Sequence, residues 1–155
     1  MMHRLGDWIS RVFISGVLLV AGFLLGGCTS FNHAWTEAAR QPVAAGDLQG
    51  RWQGSWVSDA NGHHGELRCI IAKKDDGTYS ARFHAKYGKA LSFGYTVPLT
   101  AQRTGNVFAF KGGANLGWYA GGHYEYDGTV DGTNFFSTYR CKYDHGTFQM
   151  TRPAE

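Results

Sequence analysis

The sequence predicts an all-β fold over residues 48–155, a single antiparallel up-and-down barrel of about eight strands that follows a leader and a short tether. Tyr79, Ala81, Phe83, Ala85 and Tyr87 alternate with polar residues, the pattern of a half-buried strand. Asn-Gly and Asp-Gly pairs recur where hairpins need a positive φ, and no later stretch has a helical period. An open sheet would expose two edges, and closure into a barrel removes them. A two-sheet sandwich is the alternative fold.

Residues 1–27 are predicted to be the signal peptide of an exported protein. Arg4 and Arg11 come first, and an uncharged run (VFISGVLLVAGFLL) with small residues after it completes the order of a secretory signal. That run is shorter than the about 20 residues of a bilayer span, but a membrane-spanning anchor is the alternative. The segment Leu25-Gly26-Gly27-Cys28 resembles a bacterial lipobox. The resemblance implies that residues 1–27 are a lipoprotein signal peptide, with a diacylglyceryl thioether on Cys28 and an acyl chain such as palmitate on its amino group.

Residues 28–47 are predicted to be the lipidated cysteine and a flexible tether, with one helical turn near Trp35–Arg40. Thr29 stands where an aspartate would favour retention in the inner membrane. We therefore expect a lipid anchor in the cell envelope, at the outer membrane and facing the periplasm. Removal of the leader lowers the formal charge from +3 to about +2, and so small a charge favours no nucleic-acid partner.

The strands of the barrel are predicted from alternation and from the turn signals between them. Eight short strands within residues 48–152 fit an antiparallel meander. Pro98 lacks an N–H, so we expect it at a strand end or a bulge. The predicted strands are Gly50–Ser58, Glu66–Lys73, Gly77–Tyr87, Leu91–Leu99, Asn106–Lys111, Trp118–Tyr126, Asn134–Tyr143 and Thr147–Arg152.

Two cysteines remain once Cys28 is assigned to the lipid. An even pair in an exported protein predicts one disulfide, between Cys69 and Cys141. The alternative is two buried free thiols. In a meander the two residues lie on the second and seventh strands, so the bond would have to reach across the barrel or around one end.

The start and the end of the predicted barrel carry a family resemblance. Gly50-Arg51-Trp52 at the first strand, with Arg152 at the end of the last, resembles the opening and closing residues of calycins, the lipocalin and avidin-like barrels. The resemblance implies that Trp52 plugs the barrel base and that Arg152 packs across it, a cation–π contact of about 0.5–2 kcal/mol. The second lipocalin signature and a C-terminal helix are missing from the sequence, so the resemblance specifies no ligand.

Aromatic residues crowd the predicted interior and alternate with small ones. Aromatic rings with hydroxyl groups suit an apolar or planar molecule. An eight-stranded barrel holds either side chains alone or one small ligand, so a packed core is the alternative. The predicted ligand-binding residues are Trp56, Phe83, Tyr95, Trp118 and Tyr124.

Few other side chains suggest chemistry. Asp59 and the two histidines within Asn61–Glu66 could hold a metal only if the loop curled, because metal sites usually need three or four ligands. A solvated loop is therefore favoured over a metal site. Cys69 lies in an apolar strand, where a thiol is unreactive, and no nucleophile motif or phosphate loop is present. We expect no enzyme, no catalytic residue and no cofactor.

Two functions follow from these observations. The first is a membrane-anchored, non-catalytic lipoprotein with a lipocalin-like barrel that binds a small apolar ligand. The alternative is a protein-binding envelope module. The segment Ala120–Tyr124 resembles the Ser-Gly-x-x-Tyr segment of membrane-bound lysozyme inhibitors, with Ala120 in place of the serine and no Trp-x-Lys after it. The two functions differ in whether the barrel interior is open or filled.

Overall fold

A computed structural model describes residues 30–44, 46–88 and 91–154. Its eight strands pair in chain order into a closed antiparallel barrel, in which β1 also pairs with β8. The predicted fold class is therefore confirmed, and the sandwich is excluded. The strands are β1 Gly50–Ser58, β2 His64–Lys73, β3 Tyr79–Tyr87, β4 Leu91–Thr104, β5 Val107–Asn115, β6 His123–Asp131, β7 Asn134–Arg140 and β8 His145–Thr151.

Segments before the barrel are described only in part. Residues 30–39 are helical, which is longer than the single turn expected there. Within the described residues, no helix is both long enough and apolar enough to span a bilayer. The predicted signal peptide (residues 1–27) and the lipidated Cys28 lie outside the described residues and stay predictions.

The sixth strand starts later than the alternation predicted. Trp118–Ala120 forms one turn of 3-10 helix, and β6 begins only at His123. Gly117 and Gly121 flank this turn with φ of 89° and 96°, values that L-residues rarely adopt. Asp127-Gly128 is one of the Asp-Gly pairs that predict a hairpin turn, but it lies within β6, and the turn after β6 has Gly132 at φ 59°.

Pro98 lies inside β4 rather than at a strand end. The strand pairs with β3 over residues 91–99 and with β5 over residues 99–104. Pro98 pairs with Ser80 of β3 and has no partner on β5. One edge of the strand is therefore unpaired at the proline. A residue without an N–H is tolerated at such an edge.

One end of the barrel, called the closed end, carries Gly50 of β1 and Thr151 of β8 and is packed with apolar side chains. Trp52 is fully buried there, and its indole Nε1 donates to the Leu48 carbonyl at 3.0 Å. The Arg152 guanidinium lies 3.7 Å from the centroid of the Trp52 ring, which confirms the predicted contact. The opposite end, where β1 finishes at Ser58, is called the open end.

Arg152 also fixes the chain segment that leads into β1. Its Nη1 donates to the carbonyls of Gln49 and Arg51, at 2.5 and 3.3 Å, and its Nη2 donates to the Asp47 carbonyl. Burial lowers the pKa of Arg152 to about 10, and the Asp47 charge opposes the shift. The guanidinium therefore stays charged at neutral pH and serves three acceptors at once.

The predicted disulfide is not formed, and this expectation is corrected. Cys69 and Cys141 are both free thiols, the first buried and the second partly exposed. Cys69 lies on β2 and Cys141 directly follows β7, so three strand steps of about 4.8 Å separate their strands around the wall. A disulfide permits a Cα separation of only about 7 Å.

The thiols should differ in reactivity. In the full chain with Cys28→Ser, we expect a thiol reagent to label Cys141 in the native state and Cys69 only after unfolding. Burial removes access to Cys69 and raises the pKa of its thiol well above the usual value, which suppresses the reactive thiolate. Mass spectrometry of labelled peptides measures this difference. A peptide pair linked through Cys69 and Cys141 would contradict the prediction.

Replacing Arg152 should weaken the whole barrel. We expect Arg152→Ala to lower the free energy of unfolding by about 2–4 kcal/mol, because the cation–π contact is lost and carbonyls are left without a donor. Urea unfolding followed by tryptophan fluorescence measures the change. Arg140→Ala is the matched control, since its ion pair with Glu125 is exposed and worth at most about 1 kcal/mol. Equal effects of the two variants would argue against the role of Arg152.

Candidate ligand-binding cavity at the open end

The barrel interior opens into a cavity of about 710 Å³ at the end opposite Trp52. This volume lies within the range of about 300–1,000 Å³ that small-molecule sites occupy. Alternation along the strands directs most of the aromatic lining side chains inward. The inward rings that line it are Trp56, Tyr87, Phe93, Tyr95, Tyr124, Tyr126, Tyr139 and Phe148.

Phe83 lies between the packed core and this cavity. Its ring centroid is 5.2 Å from that of Tyr95, 6.1 Å from Tyr126 and 5.5 Å from Phe148, all of which line the cavity. Phe83 itself is buried and does not line the cavity. It therefore supports the lining rings instead of forming part of the cavity surface.

Of the five predicted ligand-binding residues, the structure brings three to the cavity surface. Trp56, Tyr95 and Tyr124 line it, and Phe83 packs behind Tyr95. Trp118 was predicted to point inward and is instead 90 % exposed. The prediction failed because residues 118–120 form a 3-10 turn, so strand alternation does not apply to them.

The wall of the barrel is incomplete beside the cavity. Pairing between β4 and β5 ends at Leu99 and Gly112, so residues 91–98 of β4 have no partner on β5. Cavity-lining residues stand on both sides of this gap, with Thr96 on one side and Leu116 on the other. No pattern in the sequence predicts this gap directly, although the glycines after Lys111 and the proline at position 98 coincide with it.

The connection from β5 to β6 contributes to the cavity as well. Tyr119 and Ala120 line it, and glycines give the connection its sharp path. At Gly121 a Cβ atom would come within 2.9 Å of the Tyr124 hydroxyl oxygen and 3.1 Å of the Cys141 sulfur. Only glycine fits there, so the close approach of this loop to Tyr124 depends on it.

An apolar rim surrounds the mouth of the cavity. Five large side chains that belong to the open end are at least half exposed, and exposed apolar clusters of this kind mark binding surfaces. The rings of Trp118 and Tyr119 pack edge to face, with their centroids 6.2 Å apart. The members of the apolar rim are Leu91, Phe93, Trp118, Tyr119 and Tyr143.

The polar groups of the cavity are mostly hydroxyls. Burial raises the pKa values of Tyr95, Tyr124, Tyr126 and Tyr139 above the usual value. These side chains are therefore neutral at physiological pH and act as hydrogen-bond donors or acceptors. They can orient a ligand but cannot neutralise a charge on it.

One carboxylate stands in the cavity wall. Asp144 Oδ1 accepts a hydrogen bond from the Ser58 hydroxyl at 2.6 Å, and Oδ2 accepts one from Tyr139 at 3.3 Å. Ser58 is buried at the end of β1, and Asp144 directly precedes β8. Sequence reasoning missed Asp144 because it lies in an Asp-His-Gly segment, which is typical of an ordinary turn.

The histidine segment forms no metal centre among the described residues, which contain no group of three or more suitable ligands. His64 Nδ1 lies 3.2 Å from the Gly62 carbonyl, while the His63 ring contacts the Tyr87 hydroxyl at 3.2 Å and lines the cavity. His63 thus belongs to the cavity mouth rather than to a metal site.

A second, larger groove lies on the outer face of the barrel. Four of its charged residues form exposed ion pairs, Lys111 with Asp127 at 3.2 Å and Arg140 with Glu125 at 2.7 Å. Such exposed pairs are ordinary surface features. The cavity at the open end is the better candidate for a ligand-binding site, because aromatic side chains line it and the barrel partly encloses it.

Comparisons with known proteins add no further assignment: no family model, curated protein or solved structure matches this chain. The calycin resemblance therefore still rests on the opening strand and Arg152 alone.

Proposed function

We propose that this chain is a membrane-anchored, non-catalytic lipoprotein whose barrel binds a small apolar ligand in the cavity at the open end. The observation that carries the proposal is the aromatic cavity of about 710 Å³. A core made only for stability would be filled, since voids cost free energy in proportion to their volume. An open, ring-lined interior is typical of a site that a ligand completes.

The apolar rim and the wall gap support the same function. Exposed rings such as Trp118 and Phe93 give an apolar molecule a surface on which to enter. A ligand of about 20 non-hydrogen atoms, at about 0.3–0.4 kcal/mol per atom, would bind with micromolar affinity. That affinity suits a carrier or sensor that must also release its ligand.

The anchor part of the proposal rests on the sequence. Cys28 in its lipobox-like segment would hold the chain on the cell envelope, at the outer membrane and facing the periplasm. Asp47 and Gln49 are bound by Arg152 at the closed end, so the chain enters the barrel opposite the cavity mouth. Residues 47–49 thus leave the mouth free to receive a ligand.

The neutral fluorescent probe N-phenyl-1-naphthylamine tests ligand binding. We expect enhanced fluorescence with the full chain and about 5- to 30-fold weaker binding by Tyr95→Ala, because one aromatic contact surface is lost. Ala85→Leu should weaken binding about ten-fold by filling the cavity, which Ala85 lines. Fluorescence titration measures both.

Phe136→Ala is the control for this experiment. It removes an exposed aromatic ring on the outer face of β7 that does not line the cavity, so binding should change less than three-fold. Circular dichroism verifies that each variant is folded. Unchanged affinity in both folded cavity variants would place the probe outside the cavity and reject the proposal.

The second candidate is a protein-binding envelope module, for example a lysozyme-inhibitor-like lipoprotein. The exposed ring pair Trp118 and Tyr119 favours it, because large aromatic residues are enriched in protein interfaces. The sequence segment that suggested it is divided in the structure, with His123 exposed and Tyr124 lining the cavity.

A lysozyme activity assay tests the second candidate. If it is correct, the purified chain should inhibit lysozyme, and a Trp118→Ala, Tyr119→Ala variant should lose at least ten-fold in inhibition because the contact surface is removed. Phe136→Ala, an exposed ring on the outer face of β7, is the control. An absence of inhibition by the unaltered chain would reject the lysozyme version.

A further inference from the structure

The cavity has an uneven charge. Asp144 is the single carboxylate among the described residues that line it, and none of those residues is lysine or arginine. The remaining titratable groups there are His63, whose ring contacts Tyr87, and the tyrosines, which are neutral. A site for a fatty acid or another organic anion would need a cationic partner, and this lining repels anions instead.

Asp144 is held in place by two hydrogen bonds and can accept more. Ser58 and Tyr139 each donate one hydrogen bond to it. A carboxylate has about four lone-pair positions, so about two are left for a donor in the cavity. Its negative charge also contributes, after the larger effect of burial, to the raised pKa values of Tyr124 and Tyr139. The negative charge of Asp144 therefore acts on the tyrosine side chains of the cavity wall.

The rings next to Asp144 have faces that attract a positive charge. Tyr139 lies 6.1 Å from Tyr124 and 5.0 Å from Phe148, measured between ring centroids. The face of an aromatic ring is electronegative, and a cation over it gains about 0.5–2 kcal/mol. Several rings and one carboxylate around a cavity form the combination that recognises ammonium groups.

We propose that the ligand of this cavity is an organic cation, an amine or ammonium group joined to an apolar body. The inference rests on the proposed function and names the ligand class of the same site. The ammonium group contacts Asp144 and the rings of Tyr124 and Tyr139, and the apolar body lies against Trp56 and Tyr95. The head group sets the selectivity, and the apolar body supplies most of the affinity.

Three probes with one alkyl chain and different heads test this inference: octylammonium, octanol and octanoate. Isothermal titration calorimetry on the full chain should show octylammonium binding at least ten-fold more tightly than octanol, and octanoate binding more weakly than octanol. Since this comparison uses the unaltered protein, it does not depend on the folding of any variant. Octanol binding as tightly as octylammonium would overturn the inference and leave the proposed function standing.

Asp144→Asn tests the role of the carboxylate with little change in shape. Octylammonium affinity should fall about ten-fold, to the level of octanol, while octanol affinity should stay within two-fold. Asp131→Asn, at an exposed carboxylate of the closed end, should change neither. A folded Asp144→Asn variant with unchanged octylammonium affinity would overturn the inference. If none of the three probes binds the unaltered chain, the proposed function fails together with it.

Discussion

The stack of Arg152 on Trp52 is the contact on which the closure of the barrel depends. An up-and-down barrel has one seam that joins its first and last strands, here β1 with β8. Arg152 directly follows β8, and it binds the carbonyls of Gln49 and Arg51 at the start of β1. It thus ties the two strands of the seam while its guanidinium covers the indole that fills the closed end. Arginine suits this role because its planar fork serves several acceptors and stacks on a ring at once.

Once the closed end is filled, the remaining interior is left with more space than the side chains occupy. The rings form one continuous set, in which Phe83 contacts Tyr95, Tyr126 and Phe148. On the core side these rings are packed, and on the other side they face the cavity. The loss of pairing between β4 and β5 beyond Leu99 lets the wall spread at the open end. The same strands therefore form a packed closed end and an accessible open end.

Much of this arrangement could be predicted from the sequence, because period-two alternation records which residues face inward. It placed Trp56, Tyr95 and Tyr124 inside, and the calycin resemblance predicted the Arg152 contact. Alternation fails, however, where the chain is not a strand. At Trp118 the flanking glycines adopt positive φ and turn the chain out of the sheet. The disulfide failed for a different reason, since an even cysteine count carries no information on the distance between strands.

Asp144 shows why the chemistry of the cavity was harder to predict than its shape. Its partner Ser58 lies 86 positions earlier in the chain, so no local pattern joins them, and only closure of β1 onto β8 brings them together. The two hydrogen bonds reduce the cost of leaving a carboxylate partly buried, but they do not neutralise its charge. A wholly apolar ligand would make no use of this charge, whereas an ammonium group on an apolar body would pair with it. The carboxylate among electronegative ring faces therefore favours a ligand that brings a positive charge with it.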